Sequence, residues 1–183
     1  MHYLKIINTL KEKTDTVILF HSGTGKDSIM LADLCSKNFK KVYCIFMYIV
    51  KDLECENRYI NWTKKKYPNI EFIQTPHYAV YSFIKYGYLG IKKDTSQSKT
   101  TISKIDEKIR KKININWSIY GFKKIDGITR RLMLNSTENG IMYKTQKAYP
   151  LMDLKNSDVL NYIKENNLIT PFNYGTLKPS SGC

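Results

Sequence analysis

The stretch that determines the fold lies near the N-terminus and runs Thr16-Val17-Ile18-Leu19-Phe20-His21-Ser22-Gly23-Thr24-Gly25-Lys26-Asp27-Ser28. Its first five residues form a short, largely apolar run, which is typical of a strand buried on both faces of a parallel sheet. Glycine and hydroxyl residues follow, and the segment from Ile29 to Phe39 predicts a helix. The order of strand, glycine-rich loop and helix predicts a phosphate-binding site at the loop.

The loop has the chemistry that a phosphate needs. Glycines let the backbone turn sharply and bring its N–H groups close to an anion. The helix that follows adds N–H donors and the positive end of its dipole. Hydroxyl groups and one ammonium group complete the set of donors. The predicted phosphate-binding residues are Ser22, Gly23, Thr24, Gly25, Lys26, Asp27 and Ser28.

Two common phosphate loops are excluded by spacing. A Walker A loop has a glycine where this chain has Phe20, and a serine or threonine where it has Asp27. The dinucleotide pattern begins correctly with Gly23 and Gly25, but Ser28 stands where its third glycine belongs. The loop therefore belongs to another class.

Alternation of strands and helices continues along the chain. It predicts an α/β fold: a doubly wound, mostly parallel five-stranded sheet with helices on both faces, in a single domain over residues 1–183. The stretch from Tyr78 to Thr101 has no clear period, and its residues Tyr86–Gly90 with their Ser/Lys-rich continuation favour a loop. Within it, the segment Tyr86–Lys99 is predicted to close over the bound nucleotide. The predicted strands are Thr16–Phe20, Lys41–Val50, Ile70–Ile73, Trp117–Gly121 and Ala148–Leu151.

Composition narrows the classes of protein. The 183 residues are 42% hydrophobic and 25% charged, as in ordinary globular proteins. No apolar run approaches the roughly 18 residues of a membrane span, and the first residues lack the pattern of a signal peptide, so we expect no membrane and a cytoplasmic protein. The four cysteines and three histidines form no metal-ligand pattern, which predicts no protein-bound structural metal.

The formal net charge of +14 has two explanations. One is a polyanionic partner such as nucleic acid or a multiply phosphorylated nucleotide. The other is composition, because Lys, Asn, Ile and Tyr are abundant throughout the sequence. Between Lys92 and Lys124 there are ten Lys or Arg residues against three acids, so this stretch is a candidate anion-facing surface.

Three segments together resemble the phosphoadenosine phosphosulfate (PAPS) reductase family of the PP-loop ATP-pyrophosphatase superfamily, in particular its short phage and bacterial members. The loop resembles S-G-G-x-D-S, with Thr24 at a glycine position. The segment 121–130 resembles G-x-R-x-x-[D/E]-S-x-x-R, with Lys123 at the position of the first arginine and Gly127 at the position of the serine. The segment 149–163 resembles Y-P-[I/L]-x-D-W-[T/S]-x-x-D-V-x-x-Y-I, with Leu154 at the tryptophan.

The resemblance implies a fold of the adenine nucleotide alpha-hydrolase type and an adenine nucleotide, PAPS or ATP, as ligand. The adenine would lie beside Phe46, Met47 and Tyr48 at the end of the second strand. The phosphates would lie on the loop and near the segment that follows the fourth strand. In that segment, the implied phosphate contacts are Gly121, Lys123, Arg130 and Arg131.

Two chemistries remain open. In a PAPS reductase a cysteine thiolate attacks the sulfur of the phosphosulfate and a thioredoxin-like reductant follows; the candidate thiol is Cys183. In an ATP pyrophosphatase an acceptor attacks the α-phosphate with Mg²⁺ present, and either Asp27 or Asp126 could be the catalytic acidic residue near the metal. The acceptor would be of the tRNA or DNA thiolation or ligase type.

Partners and location are open as well. A third hypothesis is a module that binds a nucleotide or nucleic acid without turnover. We expect a small-molecule nucleotide as ligand, and the resemblance allows a homodimer and the cytoplasm of a bacterium or a phage-infected host.

Overall fold

The computed structural model describes residues 2–21 and 25–169 of the chain. Helices and strands alternate along these residues, as the sequence predicts. The helices are α1 His2–Lys11, α2 Lys26–Asn38, α3 Glu54–Lys66, α4 Tyr78–Tyr86, α5 Ile102–Ile113, α6 Ile128–Asn135 and α7 Asn156–Glu165, and the strands are β1 Thr16–His21, β2 Lys41–Tyr48, β3 Ile70–Pro76, β4 Ser118–Ile119, β5 Ile141–Met142 and β6 Lys147–Ala148.

The strands form one sheet in the order β3-β2-β1-β4-β6-β5. Neighbours pair in parallel except β5, which pairs antiparallel with β6. The predicted α/β class and the mostly parallel sheet are confirmed, but the sheet has six strands rather than five. The extra strand β5 has only two residues and pairs with β6 across a tight turn, so it is too short to produce a hydrophobic period in the sequence.

Strand β1 lies in the centre of the sheet. Val17, Ile18 and Leu19 have no exposed surface, because helices cover the sheet. Successive strands β1, β2 and β3 step one way across the sheet and the chain then returns to β4. Since crossovers between parallel strands are right-handed, the crossover from β3 to β4 carries α5 on the face opposite α2 and α3.

A buried carboxylate ties three helical segments together on one face. Asp33 in α2 is 1% exposed and accepts hydrogen bonds from the hydroxyl groups of Tyr67 at 2.7 Å and Tyr162 at 2.6 Å, and from Nζ of Lys37 at 2.6 Å. Burial alone would raise the pKa of Asp33, but these donors lower it below its ordinary value. The group is therefore a structural anchor between α2, the end of α3, and α7.

The segment from Tyr78 to Thr101 differs from its prediction. Its first nine residues form helix α4 rather than a loop. His77 caps this helix through Nδ1, which accepts the N–H of Ala79 at 3.2 Å, and Gly87 ends it in the left-handed conformation at φ 73°. The glycine that suggested a loop is in fact a helix stop signal. Among the described residues, no helix is long and apolar enough to cross a membrane.

Candidate nucleotide-binding site

The candidate site lies where the order of strands reverses. The chain leaves β1 toward β2 on one side and comes back to β4 on the other, so β1 and β4 are neighbours with oppositely directed connections. In open α/β sheets, a crevice forms outside the carboxyl ends of such a strand pair and is the usual place for a ligand. The glycine loop follows β1, and the segment 120–131 follows β4.

Part of the glycine loop falls outside the described residues, namely Ser22, Gly23 and Thr24. The described part begins at Gly25, which precedes α2 with an extended backbone. The first bond inside α2 runs from the N–H of Ile29 to the carbonyl oxygen of Gly25 at 3.0 Å. Lys26 and Ser28, only 4% and 5% exposed, lie in the first turn, so the helix begins three residues before the predicted start at Ile29.

Asp27 is held by two ammonium groups. Its Oδ1 accepts a hydrogen bond from Nζ of Lys123, and its Oδ2 lies 3.2 Å from Nζ of Lys26. The side chain of Lys123 is 1% exposed, whereas that of Asp27 is 24% exposed. This pair joins the first turn of α2 to the segment after β4, so the two predicted phosphate-binding segments are in direct contact.

The contacts continue on the far side of Lys123. Asp126 lies 3.7 Å from Nζ of Lys123 through Oδ1, and its Oδ2 accepts hydrogen bonds from the N–H of Lys123 at 3.0 Å and from Nη1 of Arg130 at 2.8 Å. The guanidinium of Arg130 also lies over the ring of Phe122, 4.4 Å from its centroid. Cations and carboxylates therefore alternate along one continuous series: Lys26, Asp27, Lys123, Asp126, Arg130.

Gly121 permits this close approach. A Cβ atom at Gly121 would lie 3.3 Å from Cβ of Asp27 and 3.4 Å from Cδ1 of Leu31, tighter than most contacts of that kind. The backbone after β4 can therefore pack directly on the first turn of α2. A larger residue here would push the two phosphate-binding segments apart.

The predicted adenine-contacting segment lies beside the loop. Phe46 stands opposite His21, the last residue of β1, in the parallel register of β1 and β2. Phe46 is buried, and Met47 and Tyr48 are half-buried at the carboxyl end of β2. These three residues therefore lie beside the carboxyl end of β1, and their contact with adenine stays a prediction.

Two basic residues near the site have different surroundings. Nζ of Lys124 lies 2.7 Å from Oδ1 of Asp153. Arg131 is exposed on α6. The stacking of Arg130 on Phe122 was not predicted from the sequence. The ion pair of Arg130 with Asp126 could have been predicted from their i,i+4 spacing.

His21 is a core residue rather than part of the chemistry. It has no exposed surface, and its ring lies 5.5 Å from that of Tyr59 and 5.6 Å from that of Phe72, centroid to centroid. Burial lowers the pKa of His21 to about 3, so the imidazole is neutral at ordinary pH.

The described residues do not fit a Mg²⁺ ion held by the protein. Both oxygens of Asp27 and both of Asp126 already face cationic side chains or an N–H group. The described ranges contain no group of three or more His, Cys, Asp or Glu side chains that could hold a metal ion. Cys183 lies outside those ranges.

Residues 17–174 match the family model described as Phosphoadenosine phosphosulfate reductase domain. The chain belongs to this family. Family membership makes it an enzyme of the PP-loop type that acts on an adenine nucleotide. No curated protein matches the sequence closely enough to count as a relative.

Solved structures share the fold at low identity. The chain is similar to an NH3-dependent NAD synthetase from Campylobacter jejuni, with a TM-score of 0.61 and 16% identity over 97% of this chain and 77% of that one. It is similar to an NMN synthetase from Francisella tularensis, with a TM-score of 0.59 and 15% identity over 98% and 74%. It is also similar to a U34-tRNA thiolase with its [4Fe-4S] cluster from Methanococcus maripaludis. The TM-score is 0.53, and the identity is 17% over 96% of this chain and 68% of that one.

Proposed function

We propose that this PAPS reductase family member holds its adenine nucleotide by the phosphates at the β1–α2 loop and acts on the phosphosulfate or the α-phosphate. The observation that carries the proposal is the alternating series from Lys26 to Arg130 between the first turn of α2 and the segment after β4. Three cations and two carboxylates leave that series with one net positive charge. It lies at the topological switch point, where the fold places ligands.

The series would act by electrostatic preorganisation. Cations fixed before the substrate arrives stabilise the negative charge that develops on a phosphoryl or sulfonyl group, without a cost of reorganisation during the reaction. Asp27, with Lys123 and Lys26 on its two oxygens, is suited to orient these lysines. Its role in the proposal is therefore to position charge, in addition to the catalytic role that its place in the loop predicts.

The remaining ligand contacts follow from the same geometry. Residues Phe46, Met47 and Tyr48 would contact the adenine, and Ser22, Gly23, Thr24, Gly25 and Ser28 the phosphates. Gly121 would let the backbone approach. Arg130 and Arg131 would bind a 3′-phosphate if PAPS is the substrate, because a guanidinium donates paired hydrogen bonds to phosphate oxygens.

We favour the reductase reaction as the first candidate chemistry. A thiolate of Cys183 would form a bond to the sulfur of PAPS, the bond from that sulfur to the phosphate oxygen would break, and adenosine 3′,5′-bisphosphate would leave. A thioredoxin-like dithiol would then release sulfite and become oxidised. Two described cysteines are poor candidates for the attacking thiol, because burial raises the pKa of both Cys35 and Cys44.

The second candidate chemistry is transfer of AMP from ATP to an acceptor, with loss of pyrophosphate. The structural likeness to two synthetases and a thiolase favours keeping this alternative. Any Mg²⁺ would then be bound mainly through the phosphates of ATP. A third candidate is a module that binds a nucleotide without turnover. For either enzyme we propose the cytoplasm of a bacterium or phage-infected host, and a homodimer remains a proposal.

One set of measurements tests these candidates. A thermal-shift panel of ATP, AMP, adenosine 3′,5′-bisphosphate and PAPS identifies the ligand, since a ligand at 100 times its Kd stabilises by about 2.7 kcal/mol. Asp27→Ala/Ser28→Ala should abolish the shift in a folded protein; an unchanged shift would contradict the site.

Product release distinguishes the two chemistries. A reductase releases sulfite from PAPS with thioredoxin, and Cys183→Ser abolishes that release. An ATP pyrophosphatase releases pyrophosphate when its acceptor is present, and Cys183→Ser leaves that release intact.

A further inference from the structure

A turn at the end of α4 exposes aromatic and basic side chains together. We call residues 85–99 the Tyr-Lys turn. Tyr86 is 42% exposed, Tyr88 55% and Leu89 75%. The rings of Tyr86 and Tyr88 lie 5.5 Å apart between centroids, with their planes 34° from one another. Two neighbouring aromatic rings are thus partly exposed to solvent.

The backbone is shaped to present these side chains. Gly87 and Gly90 adopt left-handed conformations at φ 73° and φ 72°, and Leu89 between them does so at φ 55°. A left-handed leucine is strained, because its Cβ atom crowds the following carbonyl oxygen. The most exposed apolar residue of the turn is therefore held in an unfavourable conformation, and it makes no contribution to the buried core. Backbone strain of this kind is concentrated at ligand-contact sites in proteins.

Basic residues flank the two tyrosines in the sequence. The turn contains Lys85, Lys92, Lys93 and Lys99 and a single acid, Asp94. Nζ of Lys99 lies 5.0 Å above the ring of Tyr86, and its hydrogen bond to the phenol oxygen, with help from Lys85, lowers the pKa of Tyr86. The exposed carboxylate of Asp94 accepts hydrogen bonds from both the N–H and the hydroxyl of Ser96, so it has partners within the turn itself.

We propose that the Tyr-Lys turn binds single-stranded nucleic acid. The two tyrosine rings would stack on unpaired bases, and the lysines would contact the flanking phosphates. Proteins that bind single strands combine aromatic platforms with a positively charged track, and each element is present here. The net charge of the chain favours a polyanion over a protein partner of ordinary composition. This inference is independent of the adenine nucleotide site, because it uses none of that site's residues.

The probe is a fluorescent oligothymidylate of about 20 nucleotides, with binding measured by anisotropy over a series of salt concentrations. Tyr86→Ala/Tyr88→Ala should weaken binding by about tenfold or more without any change of charge. The control Tyr143→Ala removes a ring of similar exposure, 41%, from the other edge of the sheet and should leave affinity unchanged.

A second pair of variants isolates the charge. The salt dependence is the slope of log Kd against log salt concentration. This slope should fall by about two in the triple variant Lys92→Gln/Lys93→Gln/Lys99→Gln, because each phosphate contact to a single strand contributes about 0.7 to it. The control Lys64→Gln/Lys65→Gln/Lys66→Gln removes the same amount of charge from the end of α3. These lysines precede the first residue of β3, whereas the Tyr-Lys turn lies after the last residue of β3, at the end of helix α4. The control should change the salt dependence far less.

Three results would overturn the proposal. One is no measurable binding of the oligothymidylate by the wild-type protein at low salt. Another is equal loss in the two lysine triples with no effect of the tyrosine changes, which is the behaviour of diffuse charge. The third is loss of adenine-nucleotide binding in the tyrosine variant with single-strand binding intact, which would assign the turn to the nucleotide site. Circular dichroism and the melting temperature establish that each variant is folded.

Discussion

The ammonium group of Lys123 binds the carboxylate of Asp27 from a position 96 residues further along the chain, and it is almost completely buried there. Lys123 occupies a position where the family usually has an arginine. Its charge is directed at Asp27 and Asp126 rather than at solvent. The lysine therefore stabilises the contact between the first turn of α2 and the segment after β4, and its removal should change the stability of the fold.

We expect Asp27→Asn to lower the free energy of unfolding by about 3 kcal/mol, because it leaves the buried Lys123 with only the more distant Asp126. Adding Lys123→Met to the same chain should recover part of that loss, since the buried charge is then gone. Urea denaturation measures both. Glu71→Gln, which breaks the exposed pair with Lys41, is the control and should change stability little. Strict additivity of the two changes would contradict the coupling.

Arg130 provides a test of substrate recognition. If PAPS is the substrate, Arg130→Ala should weaken PAPS binding by about 10- to 100-fold, because charge-assisted hydrogen bonds to the 3′-phosphate are lost, and should affect ATP much less. Isothermal titration calorimetry gives both affinities. Arg58→Ala is a matched control, since Arg58 forms the same kind of i,i+4 pair with Glu54 on α3. Equal loss for PAPS and ATP would argue against a role of Arg130 in 3′-phosphate recognition.

Gly140, which directly precedes β5, packs against Ile6 of α1. It adopts φ +85°, and a Cβ atom there would lie 2.5 Å from Cδ1 of Ile6 and 2.8 Å from Sδ of Met152. Gly140→Ala should therefore destabilise the protein by about 2–3 kcal/mol, from both backbone strain and crowding.

Gly90→Ala is the control for that experiment. Gly90 has a similar φ of +72°, but a Cβ atom there would meet nothing within 4 Å, so only the backbone cost of about 1 kcal/mol applies. The melting temperatures of the two variants separate the two effects. Equal losses would show that the side chains of Ile6 and Met152 move aside freely.

His21 makes stability depend on pH. Its pKa is about 3 in the fold because of burial, while in the unfolded chain it is about 6.5. Between these values the unfolded state binds more protons, so stability falls as the pH falls. The loss from His21 between pH 7 and pH 5 should be about 2 kcal/mol, and His77, whose pKa burial also lowers, adds in the same direction.

Denaturation in urea at the two pH values measures this loss. His21→Phe, which keeps an aromatic ring against Tyr59 and Phe72, should remove most of the pH dependence above pH 5. A pH dependence unchanged by that substitution would mean that His21 is not the titrating group. Asp33 acts at more acidic pH, because its pKa is lowered in the fold and the stability that its ionised form contributes is lost only below the ordinary pKa of an aspartate.

Local patterns predicted much of the fold because they are short-range. An apolar run, a glycine loop and a helix in succession already specify the β1–α2 unit, and β2, α3 and β3 repeat the same kind of alternation. The prediction failed for β5 and α4. Strand β5 is defined by its pairing with β6, and α4 carries seven apolar or aromatic residues among its nine yet buries none of them completely, so its pattern resembled neither a core helix nor a strand.

By itself, the sequence determined that a glycine-rich loop follows a buried strand and leads into a helix, because the glycines, the hydroxyl residues and the apolar run that specify this unit are contiguous. Only the tertiary structure decided how Lys123, Asp126 and Arg130 use their charges. Their partners depend on β4 lying beside β1 and on Gly121 touching the first turn of α2. An ion pair between residues 27 and 123 exists only after the sheet has brought its strands together, so no local pattern encodes it.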